Sequence, residues 1–176
     1  MKRHLHKVKK HLLLPEIAAV LLFCIAAALA ITFKAPRPEA SFGQNYYTTL
    51  TDYAGKSVTF ESFRGRPLVV FFWATWCPYC AQEFKDLAPL AGQGGVVVLA
   101  VNRGESAADA KGFTDGLGLP AGIVPLLDQN DSLFKKLNGY AMPVTVFINP
   151  VGEVVAHLRG PATAAQLASS TAEIEP

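Results

Sequence analysis

Two cysteines two residues apart, Cys77-Pro78-Tyr79-Cys80, directly follow the apolar run Leu68-Val69-Val70-Phe71-Phe72-Trp73 and precede an amphipathic stretch over residues 81–91. The order places a dithiol where a strand passes into a helix. A helix N-terminus carries unpaired N–H groups and a partial positive charge. Such surroundings favour a thiolate, so Cys77 is expected to attack as a nucleophile below the pKa of a free cysteine. Pro78 suits the first turn of that helix, where its missing N–H goes unused. Cys80, one turn further on, is placed to attack a mixed disulfide formed on Cys77.

A C-x-x-C can also be half of a zinc site or a purely structural bridge. Only three cysteines are present, however, and the third, Cys24, lies in a distant apolar run. The histidines, His4, His6, His11 and His157, are scattered, so a second pair of ligands is lacking. The pattern therefore points to redox chemistry, with no metal and no cofactor beyond a redox-active Cys77–Cys80 disulfide.

The chain has 176 residues and is 51% apolar, in keeping with one domain and an apolar extra. That extra lies over residues 12–33, of which 17–33 hold no charge. Its length is near the lower bound for a spanning helix. Lys2, Arg3, Lys7, Lys9 and Lys10 precede it, whereas only Lys34 and Arg37 follow before Lys56. By the positive-inside rule, residues 1–11 form a cytoplasmic head, 12–33 a transmembrane anchor and 34–45 a tether, with a folded domain over 46–176 outside the cytoplasm. The alternative is a cleaved signal peptide, for which Ala28-Leu29-Ala30 is a possible processing site. Phe23, a bulky residue, argues against lipidation of Cys24. Residues 34–176 carry 11 Lys+Arg against 13 Asp+Glu, a net charge of −2, so nucleic-acid binding is not expected.

Short strands are predicted over 46–50 and 57–60, around the turn Asp52-Tyr53-Ala54-Gly55. A buried strand follows at Leu68–Trp73, then a helix from Pro78 to near Gly92. Six apolar residues over 96–101 suit a strand covered on both faces. A helix at Ala107–Leu117, a strand over 123–127 and a short helix over 132–137 come next. Strands at Val144–Ile148 and over 153–157 flank Asn149-Pro150-Val151-Gly152, a hairpin signal. A helix over 162–174 closes the chain. Alternating strands and helices imply an α/β sheet with helices on both faces.

These residues resemble the thioredoxin superfamily, and within it the membrane-anchored TlpA/ResA-like branch. The resemblance rests on Leu50-Thr51-Asp52-x-x-Gly55-Lys56, Phe63-Arg64-Gly65-Arg66-Pro67 and Phe72-Trp73-Ala74-Thr75-Trp76-Cys77. It continues through Val101-Asn102-x-Gly104-Glu105, Met142-Pro143-Val144-Thr145-Val146-Phe147-Ile148 and Asn149-Pro150-x-Gly152, covering about residues 46–174. It implies a thioredoxin-like α/β fold, a central mixed sheet with helices on both faces, in which 107–127 is an inserted helix and strand. It further implies a thiol–disulfide oxidoreductase on the periplasmic side of the bacterial inner membrane. Its substrates would be protein disulfides, apocytochrome c among them, and a membrane electron donor of the thiol-transporter type would re-reduce it.

Residue by residue, the resemblance makes Cys77 the nucleophile and Cys80 the resolving thiol. Pro143 matches the family's cis-proline, which lies against the dithiol and leaves the backbone of Met142 free for an extended peptide. Glu83 matches a glutamate near the active site; it either exchanges protons with Cys80 or serves as a helix-start carboxylate stabilised by the dipole. Trp76 either covers the active-site surface or packs in the core, and Tyr79 either shapes the docking surface or is simply solvated. Three departures stand out: Pro-Tyr lies between the cysteines, Phe71 replaces a buried aspartate of thioredoxin, and Met142 precedes the proline. A disulfide-forming oxidase or isomerase, and a copper-delivering protein on the same fold, are the alternative functions. The copper reading expects C-x-x-x-C, one residue longer than the spacing here.

Overall fold

The computed structural model describes residues 47–175. The predicted head, anchor and tether all lie outside them. Among the described residues no helix is long and apolar enough to cross a membrane.

Seven strands form one mixed sheet: β1 (Thr49–Thr51), β2 (Ser57–Thr59), β3 (Leu68–Trp73), β4 (Val97–Arg103), β5 (Ile123–Asp128), β6 (Val144–Ile148) and β7 (Val154–Arg159), in the order β2-β1-β5-β4-β3-β6-β7. β3, β4 and β5 run parallel at the centre, whereas the hairpins β1–β2 and β6–β7 add antiparallel pairs at either side. Among the described residues four α-helices accompany them: α1 (Cys80–Leu87), α2 (Ala107–Leu117), α3 (Ser132–Lys136) and α4 (Ala164–Ala172). The predicted helix–strand insertion is α2 and β5, and β5 takes its place between β1 and β4.

The period-two alternation of a strand divides β3 between two apolar layers. Val69, Phe71 and Trp73 meet Phe84 and Leu87 of α1, Ala110 of α2 and Leu167 of α4. Leu68, Val70 and Phe72 meet Leu133 and Phe134 of α3, with Phe60 and Leu50. Every residue of β3 is buried, as its unbroken apolar run requires.

Local chemistry sets the helix limits. α2 starts at Ser106, whose side chain accepts from the N–H of Asp109, and stops at Gly118, at φ 62°. α4 starts with a capping box between Thr163 and Gln166. At α3 the buried Asp128 carboxylate accepts from the N–H groups of Ser132, Leu133 and Phe134 and from the Ser132 hydroxyl, at 2.8–3.0 Å. α1 departs from expectation at both ends. It starts at Cys80, because a separate turn, Cys80 N–H to Cys77 C=O at 3.3 Å, precedes it. It stops at Leu87, and a 3₁₀ turn over Ala88–Leu90 replaces its last predicted turn, where Pro89 has no N–H to donate. The first strand is likewise later than expected, at Thr49–Thr51.

Candidate active site

β3 delivers the cysteine segment. Beyond Trp73 the chain turns at once, the N–H of Cys77 donating to Ala74 C=O at 3.1 Å. Cys77 and Cys80 are joined in a disulfide, with 5.5 Å between Cα atoms. Both are buried, Cys77 at 3% and Cys80 at 0% exposure, so any attack on the pair comes from the Cys77 side. Trp76 and Tyr79 flank the disulfide and stand 63% and 55% exposed. Trp76 is thus a surface residue and not a core aromatic. Two large apolar side chains left in solvent beside a buried disulfide make a rim on which a polypeptide can rest.

Glu83 lies on the same face of α1 as Cys80, three residues on, a spacing that makes side chains neighbours. It is 3% exposed and lies in the first turn of α1. Thr145 Oγ1 of β6 donates to Glu83 Oε1, and the Ala162 N–H donates to Oε2 at 3.4 Å. Burial pushes the Glu83 carboxyl above the usual carboxylate range; the hydrogen bonds from Thr145 and Ala162 oppose that rise, and the Asp86 charge adds to it. Thr145 pairs across the sheet with Phe71. A buried acid therefore does occur close to the position where Phe71 replaces an aspartate, but it comes from the neighbouring helix. Phe71 itself packs edge-on against Phe84, with ring centroids 4.9 Å apart.

The Met142–Pro143 bond is cis. Val144 pairs with Phe72, so the proline loop lies at the end of the sheet where β3 hands over to the cysteines. Pro143 is buried, its C=O accepting from Gly160 N–H at 2.9 Å, while Met142 packs against the layer that contains Cys77 and Cys80. Among the described residues the Met142 backbone has no hydrogen-bond partner. Cys77, Cys80, Glu83, Trp76, Tyr79, Met142 and Pro143 are thus all carried by elements that meet at this end of the sheet.

Sequence reasoning missed Thr75, Asn102, Glu105 and Thr145 as site residues. Glu105 accepts from the Thr75 N–H at 2.8 Å, from the Thr75 hydroxyl at 2.5 Å and from Asn102 Nδ2 at 2.6 Å. The signal available was Asn102-x-Gly104-Glu105, a matching motif to which no role was attached. His157 lies on β7. Its Nδ1 lies 2.8 Å from Arg159 Nη2, but its buried Nε2 has no partner among the described residues. Burial, aided by the Arg159 charge, lowers its pKa to about 4.

Comparison with known proteins agrees with this geometry. The Redoxin family model matches residues 32–173. The thiol-disulfide oxidoreductase ResA of Geobacillus kaustophilus is 29% identical over 164 residues, 91% of this chain and 93% of that protein. ResA of Bacillus subtilis is 32% identical over 129 residues, 71% of this chain and 69% of that protein. Among solved structures, MTB dsbF in its mixed oxidized and reduced forms superposes with a TM-score of 0.66 at 23% identity, covering 74% of this chain and 96% of that one, which shows a shared fold. A strand-to-helix disulfide, a thioredoxin-like mixed sheet and these relatives together make the chain a member of the Redoxin family, a ResA-like thiol–disulfide redox enzyme of the thioredoxin superfamily.

Proposed function

We propose that this enzyme is a membrane-anchored, extracytoplasmic reductant of protein disulfides, with apocytochrome c as a substrate. The observation that carries the reading is the Cys77–Cys80 disulfide set between exposed Trp76 and Tyr79 and backed by the buried Glu83 carboxyl. In the dithiol form, the Cys77 thiolate attacks a substrate disulfide and one substrate sulfur leaves as a thiolate. Glu83, as carboxylate, takes the proton from Cys80. Cys80 then attacks Cys77 in the mixed disulfide and releases the second substrate thiolate. The substrate gains two electrons, and the enzyme ends as the Cys77–Cys80 disulfide. The Met142 backbone is free to pair with an extended peptide while this happens.

The basic head and charge-free residues 17–33 support the anchor, which would hold the domain at the periplasmic face of the bacterial inner membrane. That compartment is oxidising, so a reductant there requires a membrane thiol transporter to restore the dithiol. The test is Cys80→Ala in cells. Trapped protein substrates should be released by reductant from mixed disulfides on Cys77, and alkylation of intact wild-type cells should find the pair mainly as thiols. A mainly oxidised pair would instead support the disulfide-forming alternative. Protease added to spheroplasts should remove the domain; a protected domain would refute the topology.

A further inference from the structure

The geometry points to Glu105 as a positioning residue that holds the cysteine segment in place once the disulfide is open, and so as a determinant of the enzyme's reduction potential. The inference rests on the Cys77–Cys80 pair cycling between disulfide and dithiol, but not on which direction electrons flow in cells.

Residues 74–77 form a short irregular segment that carries both the exposed Trp76 and the nucleophile Cys77. In the disulfide form they are held at one end by β3 and at the other by the bond from Cys77 to Cys80 in α1. Opening that bond removes the covalent hold on Cys77. What remains on the loop is the Cys77 N–H to Ala74 bond, the weaker Cys80 N–H to Cys77 C=O turn and the grip of Glu105 on Thr75, two residues before the nucleophile.

That grip is built from both sides. Glu105 Oε2 takes the Thr75 backbone N–H and Asn102 Nδ2; Oε1 takes the Thr75 hydroxyl. The Glu105 N–H returns a bond to Asn102 Oδ1 at 3.3 Å, and Gln129 Nε2 donates to Glu105 C=O at 2.9 Å. Asn102 is wholly buried on β4, directly beside Trp73 in the parallel ladder, so the grip is anchored in the rigid centre of the sheet. Among the described residues Glu105 has no cationic partner; its charge is held by these donors. Hydrogen bonds to an ionised acceptor are the stronger kind.

The consequence follows from a thermodynamic cycle. The unfolded chain's redox equilibrium does not depend on Glu105. Any difference in how much its removal destabilises the two folded forms must therefore appear as a change in potential. The disulfide form keeps its covalent hold and should lose less. The dithiol form should lose more, so removing Glu105 favours the disulfide and lowers the potential.

The test compares wild type, Glu105→Ala, Glu105→Gln and Thr75→Val in the full-length chain, equilibrated with glutathione and followed by thermal unfolding of both redox forms. Glu105→Ala should displace the equilibrium towards the disulfide by about threefold to tenfold, as expected for lost hydrogen bonds to a charged group; tenfold is about 30 mV for this couple. The unfolding temperature of the dithiol form should fall by more than that of the disulfide form. Glu105→Gln keeps one acceptor oxygen and should shift part of the way. Thr75→Val, which removes only the hydroxyl and preserves the fold if Ala does not, should also shift the same way. Equal destabilisation of both forms with an unchanged equilibrium would leave Glu105 merely structural and overturn the proposal. A shift towards the dithiol, as large in Gln as in Ala, would make its negative charge the cause and overturn it equally. If the cysteines never cycle with glutathione in wild type, the redox reading itself fails, an outcome distinct from either.

Discussion

Thr145 on β6 donates its hydroxyl hydrogen to the carboxyl of Glu83 on α1, joining the helix that begins at Cys80 to the strand that follows the cis-proline. The bond crosses between the two halves of the site at a position sealed from water. It fixes where the acid sits relative to the resolving cysteine.

Glu83→Gln should slow disulfide exchange without unfolding the domain, since the amide can still accept from Thr145 but cannot take a proton from Cys80. Exchange rates across neutral pH should lose a titrating component that the wild type shows. Unchanged rates would reduce Glu83 to a structural role.

Stability should report the same group. A carboxyl whose pKa is raised by folding binds its proton more tightly in the native state, so its contribution is full below the ordinary carboxylate pKa and is lost as pH rises through the raised value. Glu83→Gln should therefore be less sensitive to pH across that window than wild type, measured by denaturant unfolding at a series of pH values. A steeper dependence in the variant would contradict the assignment.

His157 works in the opposite sense. Its pKa falls from 6.5 to about 4, so the native state favours the neutral ring. The stability it contributes is present above 6.5 and is lost as pH falls towards about 4. His157→Gln should flatten the acid side of the stability profile over that interval.

Cys77 should alkylate faster than Cys80 at neutral pH when each is tested as the single site cysteine, because Cys77 is the one towards solvent and ahead of the helix. Faster labelling of Cys80 would reverse the roles.

Asp128 accepts four hydrogen bonds at the start of α3 while 1% exposed. Asp128→Ala should cost about 2–4 kcal/mol, from a lost cap and buried donors left unpaired. Asp128→Asn should cost less, and neither should change the redox equilibrium, because α3 packs on the layer away from the cysteines.

The parts of the fold that could be read in advance were those with a local cause. Leu68–Trp73 is apolar without a break, Val144–Ile148 is interrupted only by Thr145, and Ala107–Leu117 is bracketed by Ser106 and Gly118. The start of α1 was misplaced because Pro78 suits a first helical turn as well as the isolated turn it occupies. In the site, Cys77 and Cys80 are neighbours in the chain and announce themselves. Glu105 and Thr75 are 30 residues apart, and Thr145 and Glu83 are 62 apart. Those pairings depend on which strands lie side by side, and no spacing in the chain encodes that.

The order of the sheet also decides how this protein meets stray strands. β2 and β7 are its two borders, and at β7 backbone groups with no neighbour could recruit another chain. That border is broken by a bulge, with Val155 the extra residue between Val154, opposite Ile148, and Ala156, opposite Phe147, and it ends in Arg159, whose guanidinium lies over the Tyr140 ring. Irregular pairing and a fixed cation both discourage sheet-to-sheet aggregation. Extended polypeptide is thereby discouraged at β7, whereas the Met142 backbone, close to the cysteines, is left without a partner among the described residues.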